Sequence, residues 1–188
     1  VMTNNRFHFG VGVSPWYEDF LATGERWEKR GKRMDEQIDI LKGLMNGEYF
    51  AYKGEFYDIP ELKLCPAPTK PVPILIGGHS KLALKRAARV GDGWISAGLS
   101  LQEIKTLIDQ INEYRDEFGT LDHPNYQFQV MGEAAYSPEG IKQLEELGAT
   151  EVIVAFRNAY EGGPDERTLE DMIAEINWYA EEVINKSR

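Results

Sequence analysis

The residues best suited to chemistry in this chain are Gly77-Gly78-His79-Ser80. They follow the apolar run Pro73-Ile74-Leu75-Ile76 and precede the cationic stretch from Lys81 to Val90. An apolar run, two glycines, a serine and then a helical pattern predict a buried strand, a tight loop and a helix N-terminus. Glycines let a backbone come close to a ligand, and the free N–H groups of a first helical turn favour an anion. Ser80 is the expected N-cap. Two readings stand on these residues alone: a seat for a cofactor phosphate, or an ordinary strand-to-helix turn.

Other reactive residue types are sparse. The single cysteine, Cys65, is followed by Pro66-Ala67-Pro68, which supplies neither a base nor a metal partner, and His8 has no spaced histidine partner. No metal site, disulfide framework or nucleophile is expected, and a lone cysteine suits a reducing, cytoplasmic setting. The formal net charge of −10 argues against a general nucleic-acid binder, because a phosphate backbone needs a broad basic face. No apolar run has membrane-spanning length. With 42% hydrophobic and 28% charged residues in 188, the chain has the composition of one globular domain.

The elements that must position the glycine loop follow from periodicity. Strands are expected at 6–13, 72–76, 93–97, 126–134 and 151–156. Within the first, Phe7, Phe9, Val11 and Val13 alternate with Gly10 and Gly12, where a ligand or another backbone must pack closely. Helices are expected from Arg26 to Met45 (stripe Trp27, Met34, Ile38, Leu41, Met45), at 81–90, from Leu101 to Phe118, from Ser137 to Leu147, and from Thr168 to about Asn185. Tyr49–Tyr52 and Phe56–Ile59 around Lys53-Gly54-Glu55 predict a hairpin, whose aromatics serve either a substrate pocket or a small core of their own. A proline-rich connector completes a 47–71 insertion. Strands alternating with helices over short loops demand parallel strands with helices outside, about five βα units in all.

Several motifs in one order carry a resemblance. Arg6-Phe7-His8-Phe9-Gly10-Val11-Gly12-Val13, the helix containing Glu25-Arg26-Trp27-Glu28-Lys29-Arg30, the turn Met45-Asn46-Gly47-Glu48, Gly54-Glu55-Phe56-Tyr57, and Pro73–Gly78 with Ala87–Trp94 resemble the bacterial luciferase-like monooxygenase superfamily, in particular its F420-dependent oxidoreductase branch. The resemblance implies an α/β fold of the (β/α)8 TIM-barrel type, with the cofactor at the C-terminal ends of the strands. The motifs resemble the fourth strand onward. A whole barrel takes ~250 residues, so the chain is read as a C-terminal portion lacking the first three βα units, or as a reduced member that dimerises to cover its edges.

Carried over by position, the resemblance implies that Gly77 and Gly78, with His79 and Ser80 beside them, contact the cofactor phosphate. Ser96 supplies a further phosphate-binding hydroxyl or backbone group. Gly10 and Gly12 lie at the ring end, with Ser14 in hydrogen-bonding reach, and Arg157 partners phosphate or the acidic tail of F420; a surface ion pair is the other reading of Arg157. No catalytic acid, base or nucleophile is nominated, since the cofactor carries the redox chemistry in this superfamily. The expected function is hydride transfer between F420 and a small organic substrate in a homo-oligomer. The alternatives are an FMN- or FMNH2-dependent monooxygenase and, in another class, an inactive or structural fragment of the barrel.

Overall fold

The computed structural model describes residues 3–157 and 162–187. Its elements are β1 (Phe9–Val11), α1 (Tyr17–Thr23), α2 (Arg30–Met45), β2 (Phe50–Lys53), β3 (Asp58–Leu62), β4 (Ile74–Gly77), α3 (Lys81–Val90), β5 (Gly93–Ile95), α4 (Leu101–Phe118), β6 (Gln127–Val130), a 3-10 turn (Glu133–Tyr136), α5 (Pro138–Glu146), β7 (Glu151–Val152) and α6 (Leu169–Tyr179), which runs on into a π turn. Five strands form one all-parallel sheet in the order β1-β4-β5-β6-β7, and β2 and β3 form a separate antiparallel pair. The barrel is not closed.

Register sorts the side chains into two faces. Val11, Ile76, Trp94 and Phe128 stand in one row across the sheet. They pack with Met34 and Ile38 of α2, Leu84, Ala87 and Ala88 of α3, Ile104, Ile108 and Ile111 of α4, and Leu144 of α5. Gly10, Leu75, Gly93 and Gln127 form a row on the opposite face, and Gly77, Ile95, Gln129 and Glu151 form the next. Leu75 is buried there, whereas Gln127 and Gln129 are half-buried and Glu151 is exposed. The helices thus form one layer on one face, the arrangement of a barrel wall.

The caps explain where the helices begin. Ser80, Ser100, Ser137 and Thr168 each accept a hydrogen bond from the N3 amide, at Ala83, Glu103, Gly140 and Asp171. Glu103 and Asp171 return the bond in capping boxes. The helix expected from Arg26 starts instead at Arg30. Lys29 takes a left-handed φ of 57°, and Trp27 turns away to meet Tyr17 and Phe20 edge-on while its ring face carries the Arg30 guanidinium. Helix α1 had no strong periodic signal, and none of its residues is buried. The last strand is shorter than the expected 151–156, because β6 stops at Val130 and the chain turns into the 3-10 helix. Tyr136 Oη takes over the missing ladder, donating to Ala155 O (2.7 Å) and accepting from Ala155 N–H (3.0 Å).

The hairpin sits on α2. The Glu36 carboxylate accepts from the amides of Glu55 (2.6 Å), Phe56 (3.1 Å) and Tyr57 (3.1 Å) at the hairpin turn. Phe50 lies so close to Gly43 that an added Cβ there would fall 2.1 Å from its ring. Phe50 thus packs against α2 and Tyr57 Oη accepts from Gln37 Nε2 (2.6 Å), while Tyr49 stands 70% exposed.

Helices α2 and α3 are joined by Arg86, whose side chain is 9% exposed. Its Nε donates to Asp35 Oδ1 (2.7 Å) and its Nη2 to Gly31 O (2.9 Å). Arg86 is buried but Asp35 is 32% exposed, so removing the carboxylate leaves a buried guanidinium with Gly31 O still in place. Asp35→Ala is expected to cost about 2 kcal/mol, read as a lower urea midpoint at unchanged slope.

Candidate functional site

In a parallel sheet all strands end on one side, so the segments after β1, β4, β5 and β6 gather at a single edge. The β4–α3 loop is its centre. Gly78 has φ +117°, a conformation that L side chains rarely adopt, and an added Cβ would stand 3.1 Å from Ala83 Cβ. Ser80 Oγ takes the Ala83 amide (3.3 Å). The Lys81 and Leu82 amides, being in the first turn, have no intrahelical acceptor.

Three side-chain-to-backbone bonds fix this edge. Trp94, fully buried in the core, donates from Nε1 to Gly78 O at 2.9 Å. His79 Nε2 accepts from Ala97 N–H at 3.2 Å, tying the β4–α3 loop to the segment after β5. Ser96 is buried and its Oγ accepts from Met131 N–H at 2.9 Å, tying β5 to the segment after β6. At the other end of the strands, Asp92 accepts from Ile74 N–H (2.8 Å) and meets His123 Nε2 (3.1 Å). Gly93 is wedged there, since a Cβ would fall 2.5 Å from Gln127 O.

The remaining predicted residues lie at varied distances from this centre. Gly12 backs onto Gly77, with a Cβ position 3.8 Å from Gly77 O, and Gly10 faces the Ile95 side chain. Ser14 donates to Asp19 and accepts from Trp16 N–H (3.1 Å), shaping the entry to α1. Gly12 and Ser14 line a cavity of about 290 Å³ with Asp19, Arg30, Arg33 and Gln37. Arg157 donates to Gly163 O (2.7 Å) and lies 3.9 Å from Asp165 Oδ2, so among the described residues its partners belong to its own loop. Asp165 is paired with Arg167, whose hydrogen bonds hold its carboxyl well below the usual carboxylate range. Among the described residues, no group of three or more His, Cys, Asp or Glu is placed to hold a metal, and no helix is long and apolar enough to cross a membrane.

Sequence reasoning placed the loop but missed the support that the Trp94 indole gives it. The available signal was parity: Trp94 follows Gly93 directly and so falls on the helix-facing row with Ile76.

The arrangement fits an anionic group. A glycine loop at a capped helix start presents backbone donors, and no carboxylate belongs to the segment 77–82. A model of the luciferase-like monooxygenase family matches residues 1–138. The chain belongs to that family. A Mycobacterium tuberculosis protein of uncharacterized function is 45% identical over 185 residues, 98% of this chain and 63% of its own length. The FMNH(2)-dependent dimethylsulfone monooxygenase of Pseudomonas fluorescens is 35% identical over 114 residues, 58% of this chain and 31% of its own length. The F420-dependent glucose-6-phosphate dehydrogenase of Amycolatopsis mediterranei is 28% identical over 109 residues, 56% of this chain and 33% of its own length. In structure, this luciferase-like chain matches the coenzyme F420 dependent tetrahydromethanopterin reductase of Methanopyrus kandleri with a TM-score of 0.72 at 13% identity, over 96% of this chain and 74% of that one. The chain thus spans less than two thirds of the curated relatives it matches.

Two expectations follow. Burial of the His79 imidazole lowers its pKa from the ordinary 6.5, against a smaller opposing pull from Glu103. The neutral ring keeps its Nε2 lone pair for Ala97. This contribution is fully present above pH 6.5 and declines as pH falls below it. The hydrogen-exchange protection factor of the Ala97 amide is expected to drop between pH 7 and pH 5, and to be low and pH-independent in His79→Phe. Trp94→Phe, which strands Gly78 O and leaves a cavity, is expected to cost about 2 kcal/mol in denaturant unfolding.

Proposed function

We propose that this chain forms the cofactor-phosphate side of an F420-dependent oxidoreductase acting on a small organic substrate. The observation that carries the reading is the left-handed Gly78 loop at the start of α3, held in place by Trp94 and His79. When bound, the deazaflavin would supply the hydride chemistry. The chain's own residues do the holding. Backbone donors of Gly77, Gly78, His79 and Ser80, with the free amides of Lys81 and Leu82, take the phosphate. Gly12, whose nearest neighbour is Gly77, is the glycine that leaves room for a flat ring, whereas at Gly10 the Ile95 side chain fills the space expected to be open. Ser96 and Ser14 act through the backbone they fix, and Arg157, partly open to solvent, is the cation available to an acidic tail.

The likeness to an F420-dependent dehydrogenase over more than half of the chain supports F420. The higher identity to an FMNH(2)-dependent monooxygenase supports a second reading, in which the same loop holds FMNH2 and the reaction uses O2.

Titration with F420 and with FMN, followed by absorbance and fluorescence, separates the readings. Saturable micromolar binding of F420 is expected, weakened at least tenfold by Gly78→Val, whose β-branched side chain is strained at φ +117° and enters the phosphate space. Retention of FMN with no F420 binding favours the second reading. Binding of neither cofactor overturns both and leaves a structural derivative of the barrel.

A further inference from the structure

The cavity beside β1 holds a cation without a counter-charge. It measures about 290 Å³ and lies between the segment Gly12–Ser14 leaving β1, helix α1 and the first two turns of α2. Two guanidinium groups line it. Arg33 is spent on Glu25, with Nη1 2.7 Å from Oε2. Arg30 pairs with no carboxylate among the described residues. One face of its guanidinium lies on the Trp27 ring, with Cζ 3.5 Å from the ring centre, and its Nη1 reaches Trp27 O only at 3.5 Å. Its Nε is shielded from solvent and has no acceptor. A buried donor left without a partner is costly, and such a group in a folded protein calls for an ion or a water.

The start of α2 adds to the imbalance. It has no side-chain cap and no acidic residue in its first turn, and Lys29 at the cap is followed by Arg30, Lys32 and Arg33. Cations at a helix N-terminus oppose the macrodipole, whereas an anion there is favoured by it and by the free first-turn amides. Lys29 is neutralised by Glu55 and Arg33 by Glu25. Arg30 is not.

The rest of the lining limits what fits. Val13, Phe20 and Met34 supply an apolar wall, while Ser14, Thr23 and Gln37 supply polar groups. Ligand pockets generally run from about 300 to 1,000 Å³, so this one suits a small molecule. Asp19 and Glu25 also line it and disfavour a dianion, because one unpaired guanidinium neutralises one charge. A single carboxylate matches the guanidinium in charge and planarity.

We propose that this cavity binds the carboxylate of a small organic acid with an apolar body, seated on Arg30. On the cofactor reading above, on which this role rests, Gly12 joins the cavity to the place of the flat ring. The acid is then the substrate, and Arg30 decides which end of it meets the ring.

The test titrates the chain, with no cofactor present, against benzoate and against benzamide, its uncharged isostere, following amide and arginine side-chain NMR signals. Saturable millimolar binding of benzoate is expected, with the largest shift at Arg30 Nε–H, and at least tenfold weaker binding of benzamide and of inorganic phosphate. Arg30→Gln is expected to weaken benzoate at least tenfold, while Lys32→Gln, an exposed cation on the same turn, leaves it unchanged. Should Arg30→Gln fail to fold, the wild-type chain decides through the position of the shifts and the preference for benzoate. Equal affinity for benzoate and benzamide, shifts centred on Lys81–Ala83 instead of Arg30, equal losses in the two variants, or no saturable binding overturns the proposal. The F420 and FMN titrations read a different event, so the cofactor reading can fail while benzoate still binds at Arg30, and the reverse.

Discussion

The bond on which the site depends runs from Trp94 Nε1 to Gly78 O. The ring lies wholly inside the core between sheet and helices, and an indole N–H buried so deeply must find an acceptor. It finds the one carbonyl that a left-handed Gly78 turns toward it. Core packing and loop geometry are therefore one problem with one solution. Repacking the core around Trp94 would move the loop, and a loop with a side chain at position 78 would lose the acceptor. A fixed cradle spares a ligand the cost of ordering it.

The legibility of the fold varied with the kind of signal. The α3, α4, α5 and α6 starts were readable because a serine or threonine stood just ahead of a periodic run, and each does cap. Strand order followed from alternation, since successive βα units lie side by side in a parallel sheet. The start of α2 was misplaced because its apolar pattern extends back to Trp27, whose ring is claimed by Tyr17, Phe20 and Arg30. The length of β7 was misjudged because a β-branched run cannot show whether a partner strand continues beside it. Here a single tyrosine hydroxyl stands in for that partner.

The site was legible where its residues needed special backbone and opaque where they needed distant partners. Gly77-Gly78 and Ser80 announce a loop and a cap by type alone. Nothing local predicts that the Ser96 hydroxyl is spent on Met131 N–H, or that Ser14 belongs to Asp19. The Ser96 bond crosses between βα units and emerges only once register is known, while the Ser14 bond closes over five residues at the entry to α1. Arg157 is held locally as well, its hydrogen bond going to Gly163 in its own loop.

The insertion between β1 and β4 bears on how the sheet assembles. β4, β5, β6 and β7 are neighbours both in sequence and in space, so each pairing closes over one helix. Phe9, by contrast, meets Ile74 only after α1, α2, the hairpin and the proline-rich connector have been spanned. Loop-closure entropy grows only logarithmically, about 0.6 kcal/mol for each doubling of loop length. The β1–β4 seam is thus the strand pairing with the largest loop-closure cost in the sheet. It is also the one whose intervening segment can lengthen or shorten at little thermodynamic cost. Variation in this family would be free to accumulate there, changing the walls of the β1 cavity while leaving the Gly78 cradle as it is.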